Sequence, residues 1–66
     1  MSRLDLFNAT EDFVLELARD CANDDRGATG DHRAFARKLA IDNFWMSNKM
    51  ETLFVEEYAR CMTAQA

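Results

Sequence analysis

The sequence predicts an all-α protein, built as a small three-helix bundle, on three observations. Proline is absent, and the only two glycines lie close together at positions 27 and 30. On either side of these glycines, apolar residues recur every three or four positions, as they do on the buried face of a helix. No stretch alternates apolar and polar residues with enrichment in β-branched side chains, so strands have little support.

The composition predicts one folded domain that spans residues 1–66. The chain is 48% hydrophobic and 30% charged, which is too apolar for a disordered segment. A chain of this size buries only about 60% of the surface that its unfolded form exposes, so its stability is marginal. Small folds often add a partner subunit, and dimerisation is one way to complete this core.

The first helix is predicted over residues 9–22. Asn8 is its candidate N-cap, because Glu11 stands three residues later and can return a hydrogen bond in a capping box. Thr10 is a competing cap. The predicted buried stripe consists of Phe13, Val14, Leu17, Ala18 and Cys21. The apolar residues before the cap are expected to fold back onto the core as a short turn or arm; they are Leu4, Leu6 and Phe7.

A polar loop over residues 23–31 separates the first helix from the second, which is predicted over residues 32–46. The loop is rich in Asn, Asp and Gly, which tolerate the backbone geometry of turns. The candidate residues for ending the first helix are Asn23 and Gly27, and the candidate caps for the second helix are Thr29 and Asp31.

The third helix is predicted over residues 49–63. The segment Asn48-Lys-Met-Glu51 has the form of a capping box, which favours a new helix starting near Lys49. The alternative is a helical hairpin with one long second helix, because an unbroken helix also aligns several apolar side chains. These side chains are Phe35, Leu39, Met46, Met50 and Leu53. We prefer three helices and leave the hairpin open.

The second helix carries two apolar faces. One face consists of Phe35, Leu39 and Met46, and the opposite face consists of Ile41, Phe44 and Trp45. In one interpretation this is the central helix, packed by the first helix on one side and by the third on the other. In the other interpretation the second face is an exposed anchor for another chain, and homodimerisation is a special case of it.

The second interpretation predicts a protein-binding site. Aromatic residues and Met are enriched at protein interfaces, and Trp is a frequent hot spot. We therefore predict that Ile41, Phe44 and Trp45 bind a partner protein. The predicted charged rim of this site consists of Arg33, Arg37 and Lys38. The expected function is that of a non-catalytic regulator, inhibitor or adaptor that binds another protein.

Charge falls in three blocks along the chain, with a net charge of −4. Residues 1–25 are mostly acidic, residues 26–49 are mostly basic, and the remainder is acidic again. This order favours attraction between neighbouring helices or between two molecules. It does not favour a phosphate-binding surface over the whole protein.

Two alternative functions would use these charges. A helix-turn-helix-like protein would bind nucleic acid through Arg26, Arg33, Arg37 and Lys38. However, the second half of that helix turns apolar and the third helix is acidic, so nucleic acid is not the expected partner. An acidic DNA-mimic inhibitor would use the acids of the first block, but twelve acids against eight bases are a small excess.

No catalytic, metal or cofactor site is predicted, and we expect the protein not to be an enzyme. His32 is the only histidine, and no Cys, Asp or Glu stands at a metal-binding spacing from it. The acidic loop does not match the EF-hand pattern. Cys21 and Cys61 fall on apolar helix faces, where buried structural thiols are usual. Gly27-Ala-Thr-Gly30 lacks the preceding strand and the G-K-[ST] ending of a phosphate-binding loop.

The chain shows no signal-peptide pattern and no apolar run of the roughly 20 residues that a membrane span needs. We therefore expect a cytoplasmic protein with reduced thiols and no membrane partner. Because the chain begins at Met1 and shows no linker or tail, we also expect a complete small protein. Proteins of this type include regulators that phages direct against host enzymes, so a phage-infected host cell is a narrower expectation for its location.

Overall fold

The computed structural model describes residues 3–65 and confirms the predicted all-α three-helix bundle. The elements in chain order are β1 (Leu4–Asp5), α1 (Glu11–Asp24), α2 (His32–Asn43), β2 (Phe44–Trp45) and α3 (Asn48–Ala64). The two short strands pair in parallel, which the sequence did not predict.

Each helix begins at a side chain that caps its first turn. Thr10, Asp31 and Ser47 accept hydrogen bonds from the backbone N–H three residues further along, at 3.1, 3.1 and 3.2 Å. Thr10 therefore caps α1 in place of Asn8, and Asp31 is one of the two predicted caps of α2. At α3 the cap lies one residue before the predicted Asn48, and the helix starts accordingly earlier.

The second helix is shorter than predicted, because it ends at Asn43 and not at residue 46. The Phe44 N–H donates to the carbonyl of Ala40, while the Phe44 backbone has already turned extended, with φ −133° and ψ 147°. Residues 44 and 45 then pair with β1, and the Leu6 N–H donates to the Trp45 carbonyl at 2.7 Å. The hairpin with one long second helix is therefore wrong. Aromatic side chains favour extended backbone, and a strand partner was available.

The central helix is α3, not α2 as one interpretation of the sequence had it. Helix α3 packs against both α1 and α2, which make little contact with each other. The reason lies in side-chain size, because α3 supplies the fully buried aromatic rings of Phe54 and Tyr58. The buried residues of α1 and α2 are small: Val14, Ala18, Ala22, Ala36 and Ala40. Large side chains on one helix thus fill the space between two helices that present small ones.

The ion pairs between helices show their directions. Glu11 and Lys49, near the starts of α1 and α3, pair at 2.9 Å, and Arg19 pairs with Glu57 further along both helices. These two helices therefore run parallel. Helix α2 runs antiparallel to α3, since Arg33 pairs with Glu56 while the later Arg37 approaches the earlier Glu51.

A strand–helix unit occurs twice in the fold, with an offset of forty residues. We call residues 4–24 the first unit and residues 44–64 the second unit. Leu4 pairs with Phe44 and Asp5 with Trp45, and the helices that follow these strands are parallel. The buried positions of the two helices match at the same offset: Val14 with Phe54, Ala18 with Tyr58, and Ala22 with Met62.

Candidate protein-binding surface

Two of the predicted contact residues lie side by side on the surface. Trp45 is 49% exposed and Ile41 is 50% exposed, and both line one shallow depression of about 140 Å³. Arg3 lines the same depression. We call Arg3, Ile41 and Trp45 together the Trp45 surface.

The strand register explains why Trp45 faces outward. Side chains alternate between the two faces of a strand, so Phe44 and Trp45 point in opposite directions. Phe44 packs against the core, where its ring meets the edge of the Phe54 ring with the centroids 5.6 Å apart. Phe44 was predicted to be a contact residue; it is half-buried, packs against the core and also lines the depression beside Trp45. Trp45 is left on the outer side, next to the exposed end of α2.

Arg3 holds the Trp45 ring in place. Its guanidinium carbon lies 4.3 Å from the centroid of that ring, which is a cation–π contact. Such contacts are worth about 0.5–1 kcal/mol at exposed positions. No sequence pattern indicates this pair, because Arg3 reaches Trp45 only through the pairing of β1 with β2. The expectation that the N-terminal apolar residues fold back onto the core is confirmed for Leu6, which is 4% exposed, but not for Leu4 and Phe7, which are 52% and 55% exposed.

The three predicted rim cations are all engaged with carboxylates of the same chain. Arg33 donates two hydrogen bonds to Glu56, at 3.0 and 2.8 Å, and they lower the pKa of that carboxyl. Lys38 donates to Asp42 at 2.9 Å, which raises the pKa of the lysine. The third cation, Arg37, lies 3.8 Å from Glu51.

These pairs also decide which cations lie near the Trp45 surface. Glu51 lines the depression beside Trp45 and brings Arg37 to its edge. Arg33 instead lines an open groove on the other side of α3, together with Leu15 of α1 and Arg60 of α3. The structure therefore brings Ile41, Trp45 and Arg37 together and places Arg33 elsewhere.

The most buried charge belongs to a structural cluster. Glu57 accepts hydrogen bonds from Arg60 at 2.9 and 2.8 Å and from Arg19 at 2.6 Å. These bonds, the one from Arg60 foremost, lower the pKa of Glu57 to about 2. A carboxyl with this pKa stays ionised near neutral pH. Its chemical role is to bind α1 to α3, since Arg19 comes from one helix and Glu57 from the other.

The Cys21 thiol and the Tyr58 hydroxyl are held in their protonated forms. Cys21 and Cys61 are both free and half-buried. Burial raises the pKa of Cys21, and the neighbouring Asp25 carboxylate adds to this effect. Burial and a 2.8 Å hydrogen bond to Asp25 also raise the pKa of Tyr58. A thiol with a raised pKa is a weak nucleophile near neutral pH.

Two features are absent from residues 3–65. Within this range no three His, Cys, Asp or Glu side chains are grouped so that they could hold a metal ion. In the same range no helix combines the length and the apolar character needed to cross a membrane.

Comparison with known proteins found no match: no family model fits the chain, and neither a curated protein nor a solved structure matches it.

Proposed function

We propose that the protein is a non-catalytic regulator, inhibitor or adaptor that binds another protein through the Trp45 surface. The observation that carries the proposal is the pair of half-exposed apolar side chains, Ile41 and Trp45, in the wall of one depression. Trp and Arg are the residue types that most often act as hot spots at protein interfaces, and this surface contains one of each.

The Trp45 surface is also prepared for binding. The backbone of Trp45 is fixed by pairing with β1, and Arg3 covers one part of its ring. A side chain that is already ordered loses less conformational entropy when a partner covers it, so more of the contact energy appears as affinity. A hot-spot Trp contributes on the order of 2 kcal/mol or more when it is truncated to Ala.

The charges support a protein partner better than a nucleic acid. Phosphate contacts need free Lys and Arg side chains, because the binding energy comes from releasing counterions. Arg33, Arg37 and Lys38 lie against carboxylates of their own chain, and binding to phosphate would break those contacts. A salt-dependent shift of duplex DNA by the protein would favour the helix-turn-helix alternative instead.

The first experiment distinguishes between two possible partners, a second copy of the chain and another protein. Solution mass is measured by light scattering across a concentration series, with Trp emission recorded on the same samples. Trp45 is the only tryptophan, so the emission reports this surface alone. A dimer whose blue-shifted emission moves to the red on dilution would place a second copy on the surface. A monomer with water-like emission would leave the surface free for another protein.

A matched pair of variants then tests the site. Trp45→Ala removes the proposed anchor, and Phe7→Ala removes an aromatic ring that is 55% exposed and does not line the depression. We expect the first variant to weaken binding of the purified partner or the second copy by about thirtyfold, which corresponds to 2 kcal/mol. The second variant should bind like the parent chain.

A third variant tests whether a loss of binding results from unfolding. Ile41→Glu places a charge on the surface from α2 and leaves the strand pairing unchanged. It should weaken binding while the circular dichroism spectrum stays that of the parent. Unchanged affinity in both the Trp45→Ala and the Ile41→Glu chains would refute the proposal.

A further inference from the structure

A second surface lies on the outer side of α1 and shares no residue with the Trp45 surface. Asp12, Glu16, Asp20 and Asp24 follow one another at intervals of four residues along this helix. Residues four apart on a helix lie one above the other, so these side chains form one row. All four are exposed. With a rise of 1.5 Å per residue the row is about 18 Å long.

These four acids differ from every other carboxylate of the chain. Each of the others accepts a hydrogen bond or forms an ion pair: Asp5, Glu11, Asp25, Asp31, Asp42, Glu51, Glu56 and Glu57. Within residues 3–65, none of the four acids of the row does either. In the basic block, Arg33 and Arg37 lie against acids of α3, Lys38 against Asp42 of α2 and Lys49 against Glu11 of α1, so the acid row itself is left uncompensated.

The acid row costs the helix stability when nothing covers it. Like charges four residues apart destabilise a helix by about 0.2–0.5 kcal/mol per pair, and the row contains three such pairs in succession. Asp24 adds to this effect, because it stands at the negative end of the helix dipole. A partner of opposite charge would add attractions that offset these repulsions.

An apolar row runs beside the acid row. Phe13 is 48% exposed and Leu17 follows it at the same four-residue spacing. Together with Glu16 and Asp20 they line a depression of about 170 Å³. The outer face of α1 therefore offers two parallel strips, one apolar and one acidic.

We propose that this face binds a basic amphipathic helix of another protein. Rows of side chains at four-residue spacing pack into the grooves between such rows on a second helix, which is the commonest mode of helix packing. The apolar side chains of the partner lie against Phe13 and Leu17. Its Lys or Arg side chains, repeating every three or four residues, meet the acid row. A helix of three to four turns matches the length of the row.

A synthetic peptide serves as the probe. It is an amidated 18-residue helix with Lys at four-residue spacing and Leu on the adjacent strip. A second peptide has the same composition in an order that mixes Lys and Leu around the helix. Binding is followed by fluorescence anisotropy of the labelled peptides at low and at high salt. We expect the segregated peptide to bind about tenfold more tightly, which is the gain from burying one or two apolar side chains.

Nuclear magnetic resonance identifies the face that is bound. In a ¹⁵N-labelled protein the segregated peptide should shift the amide signals of residues 12–24 and leave the indole signal of Trp45 in place. Equal binding of the two peptides, or shifts centred outside α1, would overturn the proposal. Displacement of the peptide by low millimolar Mg²⁺ or Ca²⁺, with no effect of Na⁺ at matched ionic strength, would also overturn it in favour of a cation site.

Two double variants with the same change in net charge provide the control. Glu16→Gln with Asp20→Asn removes two charges of the acid row, and Asp42→Asn with Glu56→Gln removes two paired charges elsewhere. Only the first should lose binding of the peptide, by about tenfold or more, with no loss of helical signal. An equal loss in both would show that net charge alone attracts the peptide and would overturn the proposal. Trp45→Ala should leave peptide binding unchanged, so this test is independent of the Trp45 surface.

Discussion

The first and second strand–helix units have the same order of elements, yet they contribute different side chains to the core and to the surface. The second unit brings the large core side chains, while the first brings small ones at the matching positions, as in Ala18 against Tyr58. Glu56 of the second unit is paired with Arg33, but Glu16, forty residues earlier, has no partner in the described chain. The second unit is covered by α2, whereas the outer face of α1 is open.

This difference between the two units indicates which surfaces are available to bind another molecule. A side chain that completes the core or an ion pair already has its partner inside the chain. The two proposed surfaces occur where the units diverge: at position 45 against position 5, and at the outer face of α1. In each case the exposed group does little for the stability of the monomer, so it is available for contact with another molecule.

The largest effect is expected from truncating matched core positions. Phe54→Ala should lower the free energy of unfolding by about 3–5 kcal/mol, and Val14→Ala, at the equivalent place in the first unit, by only about 1–3 kcal/mol. Urea denaturation followed by circular dichroism measures both. Equal losses at the two sites would contradict the view that the second unit supplies most of the core.

The next largest effect on the free energy of unfolding is expected at Glu57, the charged residue that links the two units. Glu57→Gln should lower the free energy of unfolding by roughly 1–2 kcal/mol, because it weakens charge-assisted hydrogen bonds to half-exposed arginines. Glu56→Gln, which removes an exposed pair between α3 and α2, should have a smaller effect in the same urea titration. A larger loss of unfolding free energy in the Glu56 variant would contradict the view that the Glu57 cluster is the stronger ion pair between helices.

The same cluster predicts how stability depends on pH. The folded-state pKa of Glu57 is about 2, below its unfolded value near 4.5. Its contribution is therefore fully present above pH 4.5 and is lost as the pH falls towards 2. Urea midpoints measured from pH 6 to pH 2.5 should fall less steeply for Glu57→Gln than for the parent chain. Parallel curves would show that other groups carry the acid sensitivity.

The smallest expected effect is on the free energy of unfolding, which should change in opposite directions when two equivalent acids are neutralised. Glu16→Gln should raise the free energy of unfolding by a few tenths of a kcal/mol, because it removes repulsion from Asp12 and Asp20. Glu56→Gln, at the equivalent position, should lower it, because it removes an attraction. The two variants are compared by thermal unfolding at low salt, and added salt should reduce both changes.

The sequence predicted the features that depend on neighbouring residues. The helix spacing, the polar loop and two of the caps follow from local side-chain chemistry, although the loop begins at residue 25 and not at residue 23. The central place of α3 could also have been inferred, since α3 carries Phe54 and Tyr58 while α1 and α2 offer mainly alanines. That inference needs a comparison of side-chain sizes across helices and not the pattern of one helix.

The position of Trp45 could not be predicted in this way. Its place on a strand depends on pairing with residues forty positions earlier. Pairing between strands of two residues produces no periodic pattern in the sequence of either segment. The six predicted site residues consequently divided into three groups. Ile41 and Trp45 are exposed at one depression, Phe44 lines the same depression while packing against the core, and the cations Arg33, Arg37 and Lys38 lie against carboxylates of their own chain.

The pairing of β1 with β2 has a consequence for the order of folding. It closes a loop of about forty residues, and the entropy needed to close a loop rises with its length. The contacts between α2 and α3 join segments much nearer in sequence and are available earlier in the search for the native state. We therefore expect Arg3 and Trp45 to meet late in folding, and the fluorescence of the single tryptophan to report the pairing of β1 with β2.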